Sequence, residues 1–236
     1  MPLNRWLLAA AVLTALLTAR LGWWQLDRAA QKVALQQALD ERRALPPLTQ
    51  AELATQAAEV PAQQHRRALL QGRWLAARTL YLDNRPMKGR TGFYVVTPLQ
   101  FDDGTAVLVQ RGWLPRDMMD RTRLAPYTTP ETAVAVQGLI APALARLYEF
   151  DGAASGPIRQ NLQLDAYARE SGLTLRPWVL VQNDGTAPFS DGLLRQWPAP
   201  ATGVDKHHGY AFQWFSLCAL TLFLYVWFQF IRPRRP

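Results

Sequence analysis

The chain has 236 residues, a formal net charge of +8 and a single cysteine, Cys218. One thiol excludes disulfide scaffolds and thiolate-rich metal sites, so packing must hold the molecule together. The positive charge is almost all arginine scattered along the chain, the only lysines being Lys32, Lys88 and Lys206; without a basic run interleaved with aromatics there is no nucleic-acid footprint.

From Trp6 to Trp24 the only charge is Arg20, and from Tyr210 to Ile231 there is none. As helices rising about 1.5 Å per residue these stretches reach about 28 and 33 Å, against a hydrocarbon core of about 30 Å. Each is long enough to cross a bilayer. Arg20 can snorkel from the end of the first span, and Trp6, Trp23, Trp24, Trp214 and Trp227 fall where interfacial anchors would. A cleavable signal peptide is the rival reading of the first stretch, but its length and its tryptophans favour a retained anchor. Arg5 before the first span and Arg232, Arg234 and Arg235 after the second predict both tails in the cytoplasm.

Between the spans, 26–45 (LDRAAQKVALQQALDERRAL) lacks Gly and Pro and predicts a helix continuing from the first span, stopped at Pro46-Pro47. An Ala/Gln stretch, 49–64, reads as a short helix or loop, and His65 as a solvated histidine. The pattern then shifts to period two. GFYVVTPLQF (92–101), with Phe93, Val95, Thr97, Leu99 and Phe101 on one face, turns through FDDGT into AVLVQRGWL (106–114), the strongest hairpin in the chain. Strands are also predicted at 66–75, 78–86, 131–140 and 176–183, a short helix at 162–172, an exposed loop at 149–157 and a linker at 197–204. The predicted fold class is therefore an α+β membrane protein: two transmembrane helices flanking a mainly antiparallel β-rich extracytoplasmic domain with minor helices. The expected divisions are a cytoplasmic tail 1–5, a first span 6–24, a periplasmic domain 25–206, a second span with its entry segment 207–231, and a tail 232–236.

Catalysis would need a nucleophile with a base, or paired carboxylates in a pocket. The sequence holds no GxSxG, HExxH, phosphate-binding glycine loop or CxxCH. Asp102 and Asp103 are neighbours that precede Gly-Thr, so they mark a turn and not an acid pair. Catalytic residues: none are expected. Cys218, mid-span, reads as ordinary packing.

DKHHGYAFQWF (205–215) is different, because two histidines stand at the mouth of the second span. On a helix, His207, Tyr210, Ala211, Trp214, Cys218, Thr221 and Tyr225 share one stripe, while His208 points away with Phe212 and Phe215. Thr14, Thr18, Leu21 and Gln25 form a stripe on the first span suited to another helix. Two such stripes predict a cleft with an imidazole at its rim and aromatic walls below. Neutral imidazole can serve as an axial ligand of haem iron; equally, an interfacial histidine can be an amphipathic headgroup-level residue.

LGWWQLDR (21–28) resembles the LGxWQLxR motif that closes the first span in the Surfeit locus protein 1 family, the cytochrome c oxidase assembly factors. GFYVVTPL (92–99), VLVQRGWLP (107–115), QLDAYA (163–168) before PWVLVQ (177–182), and HHGYAFQWFSL (207–217) match further blocks in order. The resemblance implies a protein of the bacterial inner (plasma) membrane or the mitochondrial inner membrane, not an enzyme, that helps insert haem a into oxidase subunit I. A histidine three residues before Tyr210 is implicated in binding that haem, which aligns His207. Here Asp205-Lys206 replaces an asparagine pair, and Gln110 stands where the family has asparagine before RGW.

The expectation is thus a membrane chaperone of the respiratory chain for an aa3-type haem-copper oxidase, in the bacterial inner membrane, with haem a as cofactor and His207 as the iron ligand. Tyr210 and Trp214 line the pocket, and Trp24 and Gln25 of LGWWQLDR close it from the first span. The expected partners are cytochrome c oxidase subunit I, the haem a synthesis machinery and membrane lipid. The alternative is a haem-free membrane scaffold that stabilises oxidase subunits. A membrane-anchored sensor or hydrolase would need an output module or a nucleophile-base pair, and neither is predicted.

Overall fold

The computed structural model describes residues 5–148, 156–184, 191–197 and 203–232. Most of the loop expected at 149–157, most of the linker expected at 197–204, and Arg234 and Arg235 lie outside the described residues. The chain forms two compact units: residues 1–40 with 200–236, and residues 41–199. The boundary at Glu41 falls within the last turns of the helix that continues from the first apolar stretch.

That helix, α1 (Arg5–Ala44), is 40 residues long, about 60 Å at about 1.5 Å per residue. It ends before Pro46-Pro47, with Arg42 and Arg43 in the last turn, where cations suit the helix dipole. The Ala/Gln stretch after it forms two single 3₁₀ turns, Gln50–Glu52 and Ala57–Glu59, and a one-turn helix, α2 (Val60–Gln63). In each turn the carboxylate of the third residue reaches back to accept from the backbone N–H of the residue before the turn, Glu52 from Thr49 and Glu59 from Gln56. His65 is not simply solvated. It is half-buried, takes a positive φ of 66° and donates its N–H to Ile140, and burial together with Arg43 and Arg42 holds its imidazole pKa low.

Seven strands follow: β1 (Arg67–Trp74), β2 (Leu80–Met87), β3 (Arg90–Gln100), β4 (Ala106–Pro115), β5 (Val134–Ala141), β6 (Ile158–Arg159) and β7 (Leu175–Gln182). A helix, α3 (Leu164–Ser171), precedes β7 and ends on Gly172 at φ 70°, a left-handed cap that costs glycine nothing. The sheet order is β1-β5-β7-β4-β3-β2-β6, and β1 also pairs with β3, at Arg73↔Gln100 and Trp74↔Leu99. Five strands thereby close into a ring, which leaves no open edge among them. The pairings are antiparallel except β4–β7 and β2–β6.

All five ring strands send side chains into one cluster, including Leu70, Leu99, Val107, Ile140 and Leu180, and Leu48, Leu53, Ala54 and Val60 from the preceding turns join it. Trp178 is fully buried there and its indole N–H reaches the Ala54 carbonyl at 2.9 Å. A second cluster covers the other face of the sheet, from Leu82, Tyr94, Val96, Leu108 and Trp113 to Tyr167 of α3. The expected one-sided alternation of β3 therefore gives way to burial on both faces.

The β3–β4 hairpin also carries an irregularity. Val95 faces Gly112 and Val96 faces Gln110, so Arg111 is an extra residue, a β-bulge. The bulge reverses the alternation, so that Leu108 and Trp113 share a cluster. It also turns Arg111 inward, where the side chain is 1 % exposed. Its guanidinium lies 4.5 Å from the Trp74 ring centroid, donates to Thr129 Oγ1 at 2.7 Å and to the Thr128 carbonyl at 3.0 Å, and pairs with Asp191 at 3.5 Å. Burial pulls the Arg111 pKa down and Asp191 pulls it back up; stacking and donation compensate the desolvated charge.

Candidate functional site

The expected site residues fall in the helical unit. Val204–Val226 forms α4, and a π-helical turn, Trp227–Ile231, continues it. Both α1 and the helix Val204–Ile231 are long and apolar enough to cross a membrane.

Contact between α1 and α4 is made by small residues on one side. The buried positions of α1 are Ala15, Thr18, Gly22 and Ala29, and on α4 Ala211 is buried. A Cβ at Gly22 would lie 2.9 Å from the Phe215 ring, so the ring packs against α1 in space left because that residue has no side chain. Trp23 meets Phe215 edge-on at 6.0 Å, and the Cys218 thiol reaches the Ala15 carbonyl at 3.4 Å. Thr18 satisfies its hydroxyl within its own helix, on the carbonyls of Thr14 and Ala15.

This corrects the expected stripes. Thr18 and Gln25 face α4, but the seam on α1 runs through Ala15 and Gly22, with Leu21 half-buried and Thr14 exposed. Phe215, expected to point away, packs into the seam. The cleft expected beneath the imidazole is closed by Phe215 against Gly22. An open groove lies instead at the far end of the pair, between Ala10, Ala11 and Thr14 of α1 and Thr221, Leu224 and Tyr225 of α4. The stripe of α4 does turn toward α1, through His207, Ala211 and Cys218, while small residues of α1 and the Phe215 ring fill the space where a cleft was expected.

At the mouth of the pair, His207 Nδ1 lies 2.7 Å from Gln25 Oε1. A carbonyl oxygen only accepts, so this contact places the proton on Nδ1 and leaves Nε2 as the basic nitrogen. Both side chains are half-buried, while His208 is exposed. Tyr210 follows His207 by three residues and is 51 % exposed; Trp214, seven residues on, is half-buried. Trp24 is 42 % exposed and carries the Arg28 guanidinium 5.6 Å from its ring centroid. Of the five expected site residues, the structure brings His207 and Gln25 into direct contact. Tyr210 and Trp24 present aromatic surface outward and do not wall an internal cleft.

Among the described residues no three His, Cys, Asp or Glu side chains converge. A site with one basic imidazole nitrogen and exposed aromatic surface fits a planar apolar ligand that brings the rest of its metal's ligands with it, as a porphyrin does. Sequence reasoning missed the Gly22–Phe215 contact and the inward turn of Arg111. A lone glycine in a Leu/Trp-rich helix and an arginine inside an apolar strand were the available signals.

The fold and site define a class: a pair of apolar helices with a tautomer-fixed histidine at its mouth, carrying a closed β-rich unit between them in the sequence. The SURF1 family model matches residues 12–219, and the chain belongs to that family. It is similar to a SURF1-like protein of Rickettsia bellii, at 24 % identity over 91 % of this chain and 87 % of that protein. It is also similar to a SURF1-like protein of Dictyostelium discoideum, at 40 % identity over 50 residues, 21 % of this chain and 18 % of the relative.

Proposed function

We propose that the chain is an assembly factor for an aa3-type cytochrome c oxidase, holding haem a as cargo and assisting its insertion into subunit I. The observation that carries this reading is the His207–Gln25 contact, which leaves Nε2 of His207 free for an axial bond. Tyr210, Trp214 and Trp24 would offer apolar surface to the macrocycle, and haem held without thioether links can be released. A bound haem supplies no reaction here; it is what is delivered. The setting is a bacterial inner membrane crossed by α1 and α4, with both termini cytoplasmic and the β-rich unit periplasmic. Subunit I receives the haem and the haem a synthesis machinery supplies it.

The test is haem a per subunit I in oxidase isolated from cells with and without the gene, alongside total cellular haem a. Without the gene, subunit I and total haem a should persist while occupancy falls in part, because a helper changes rate and yield more than the final equilibrium. Full occupancy would refute the assembly role, and disappearance of haem a from the cell would point to biosynthesis. Purified protein without pigment from haem a-producing cells would favour the haem-free scaffold.

Topology has its own test. Met119 is 95 % exposed on the loop after β4. A Met119→Cys thiol should react with an impermeant reagent in spheroplasts. Reaction only after rupture of the inner membrane would reverse the orientation.

A further inference from the structure

We propose that Gln25 is a positioning residue for His207: its carbonyl oxygen holds the imidazole in the Nδ1–H tautomer and sets the electron donation of Nε2 to the iron. The inference rests on the haem-binding role of His207. The expectation from the pattern was that Gln25 lines the pocket. The geometry points elsewhere, because its side-chain oxygen lies 2.7 Å from His207 Nδ1, at the nitrogen opposite the one available to a ligand.

The two residues are 182 positions apart in the chain and sit on separate helices. What fixes their separation is the packing just beneath them, Phe215 against Gly22 and Trp23. One turn below Gln25 on α1, and about two turns below His207 on α4, the Phe215 ring packs on Gly22 and Trp23, which holds the two side chains in register before a ligand arrives. A ligating histidine ordinarily donates its other N–H to an oxygen acceptor, which fixes the ring and raises its basicity; losing that acceptor costs on the order of tenfold to a hundredfold in metal affinity. Gln25 stands in that position toward His207. The amide is also neutral, which suits a reversible carrier. A carboxylate there would draw the Nδ1 proton more strongly and make the imidazole a stronger donor.

An interhelical hydrogen bond can also serve only to join two helices. The two roles separate by a measurement that helix adhesion would not move: the reduction potential of the bound haem. The full-length protein, its Gln25→Glu, Gln25→Leu and His207→Ala variants, and a Gln31→Glu control that adds the same charge elsewhere on α1, are purified in detergent from haem a-producing cells. Haem a affinity and midpoint potential are then measured. Gln25→Glu should retain haem a and lower its potential relative to the parent and to Gln31→Glu. Gln25→Leu should weaken haem a binding by on the order of tenfold or more and raise the potential of the fraction that remains. Equal potentials and affinities in the parent and both Gln25 variants, with haem lost only in His207→Ala, would overturn the positioning role and leave His207 as ligand. Undiminished haem in His207→Ala would overturn the ligand itself, and this inference with it.

Discussion

Replacing His207 by alanine should empty the purified protein of haem a, and replacing His208 should leave most of it in place. The two neighbours are separated by about 100° around α4. His207 is half-buried and held by Gln25, whereas His208 is exposed. An alanine at 207 removes the basic nitrogen that the site presents and leaves Gln25 without its partner. The pigment extracted per mole of protein from parent, His207→Ala and His208→Ala measures this directly. Equal pigment in all three would remove His207 from the ligand role. The β-rich unit forms its own core, so His207→Ala should leave that unit's unfolding unchanged, which separates loss of a ligand from loss of structure.

Trp113→Ala should do the reverse, destabilising the β-rich unit while removing nothing from the helical site. Trp113 is 1 % exposed, packs with the cluster of Leu82, Tyr94 and Leu108, and donates its indole N–H to the Arg85 carbonyl at 2.8 Å. Truncating a buried tryptophan costs about 3–5 kcal/mol, a large part of the stability of an ordinary domain. The lost donor also leaves the Arg85 carbonyl to find another partner. Trp113→Phe should fall between, keeping most of the packing and losing the hydrogen bond, at about 1–3 kcal/mol. The urea midpoint of the detergent-solubilised chain reports both changes. An alanine variant with the parent's midpoint would show that the tryptophan is not part of the core.

These predictions assign different work to two motifs that look alike in the sequence. RGW (111–113) is read here as packing. Arg111 is the bulged residue, stacked on Trp74 and paired with Asp191. Gly112 allows Leu193 to approach, since a Cβ there would stand 2.5 Å from the Leu193 Cβ. In LGWWQLDR, by contrast, Gly22 sets the helix contact and Gln25 meets the histidine.

The sequence by itself determined the identity of the elements. Six of the strands were legible because Val, Leu and aromatic residues recur at period two between turn residues, and α1 was legible because 26–45 has nothing to break a helix before Pro46. The stripe of α4 singled out His207 over His208 by spacing alone. The two-residue strand β6 was not legible, since Ile158–Arg159 is too short to show any period.

Tertiary structure decided what each element meets. Period two records which residues of a strand seek burial but not which strand they will join, so the closure of β1 onto β3 and the parallel pairing of β4 with β7 are absent from any local pattern. The bulge at Arg111 arises where the register of β3 against β4 shifts by one residue, a property of the pair. In the helical unit, the polar-tipped stripe suggested a cleft under His207. The actual seam on α1 follows Ala15, Thr18 and Gly22, because small side chains leave room for the Phe215 ring of α4. Gln25 could be placed on the facing side of its helix by spacing, but its bond to a residue 182 positions away exists only once that seam has formed.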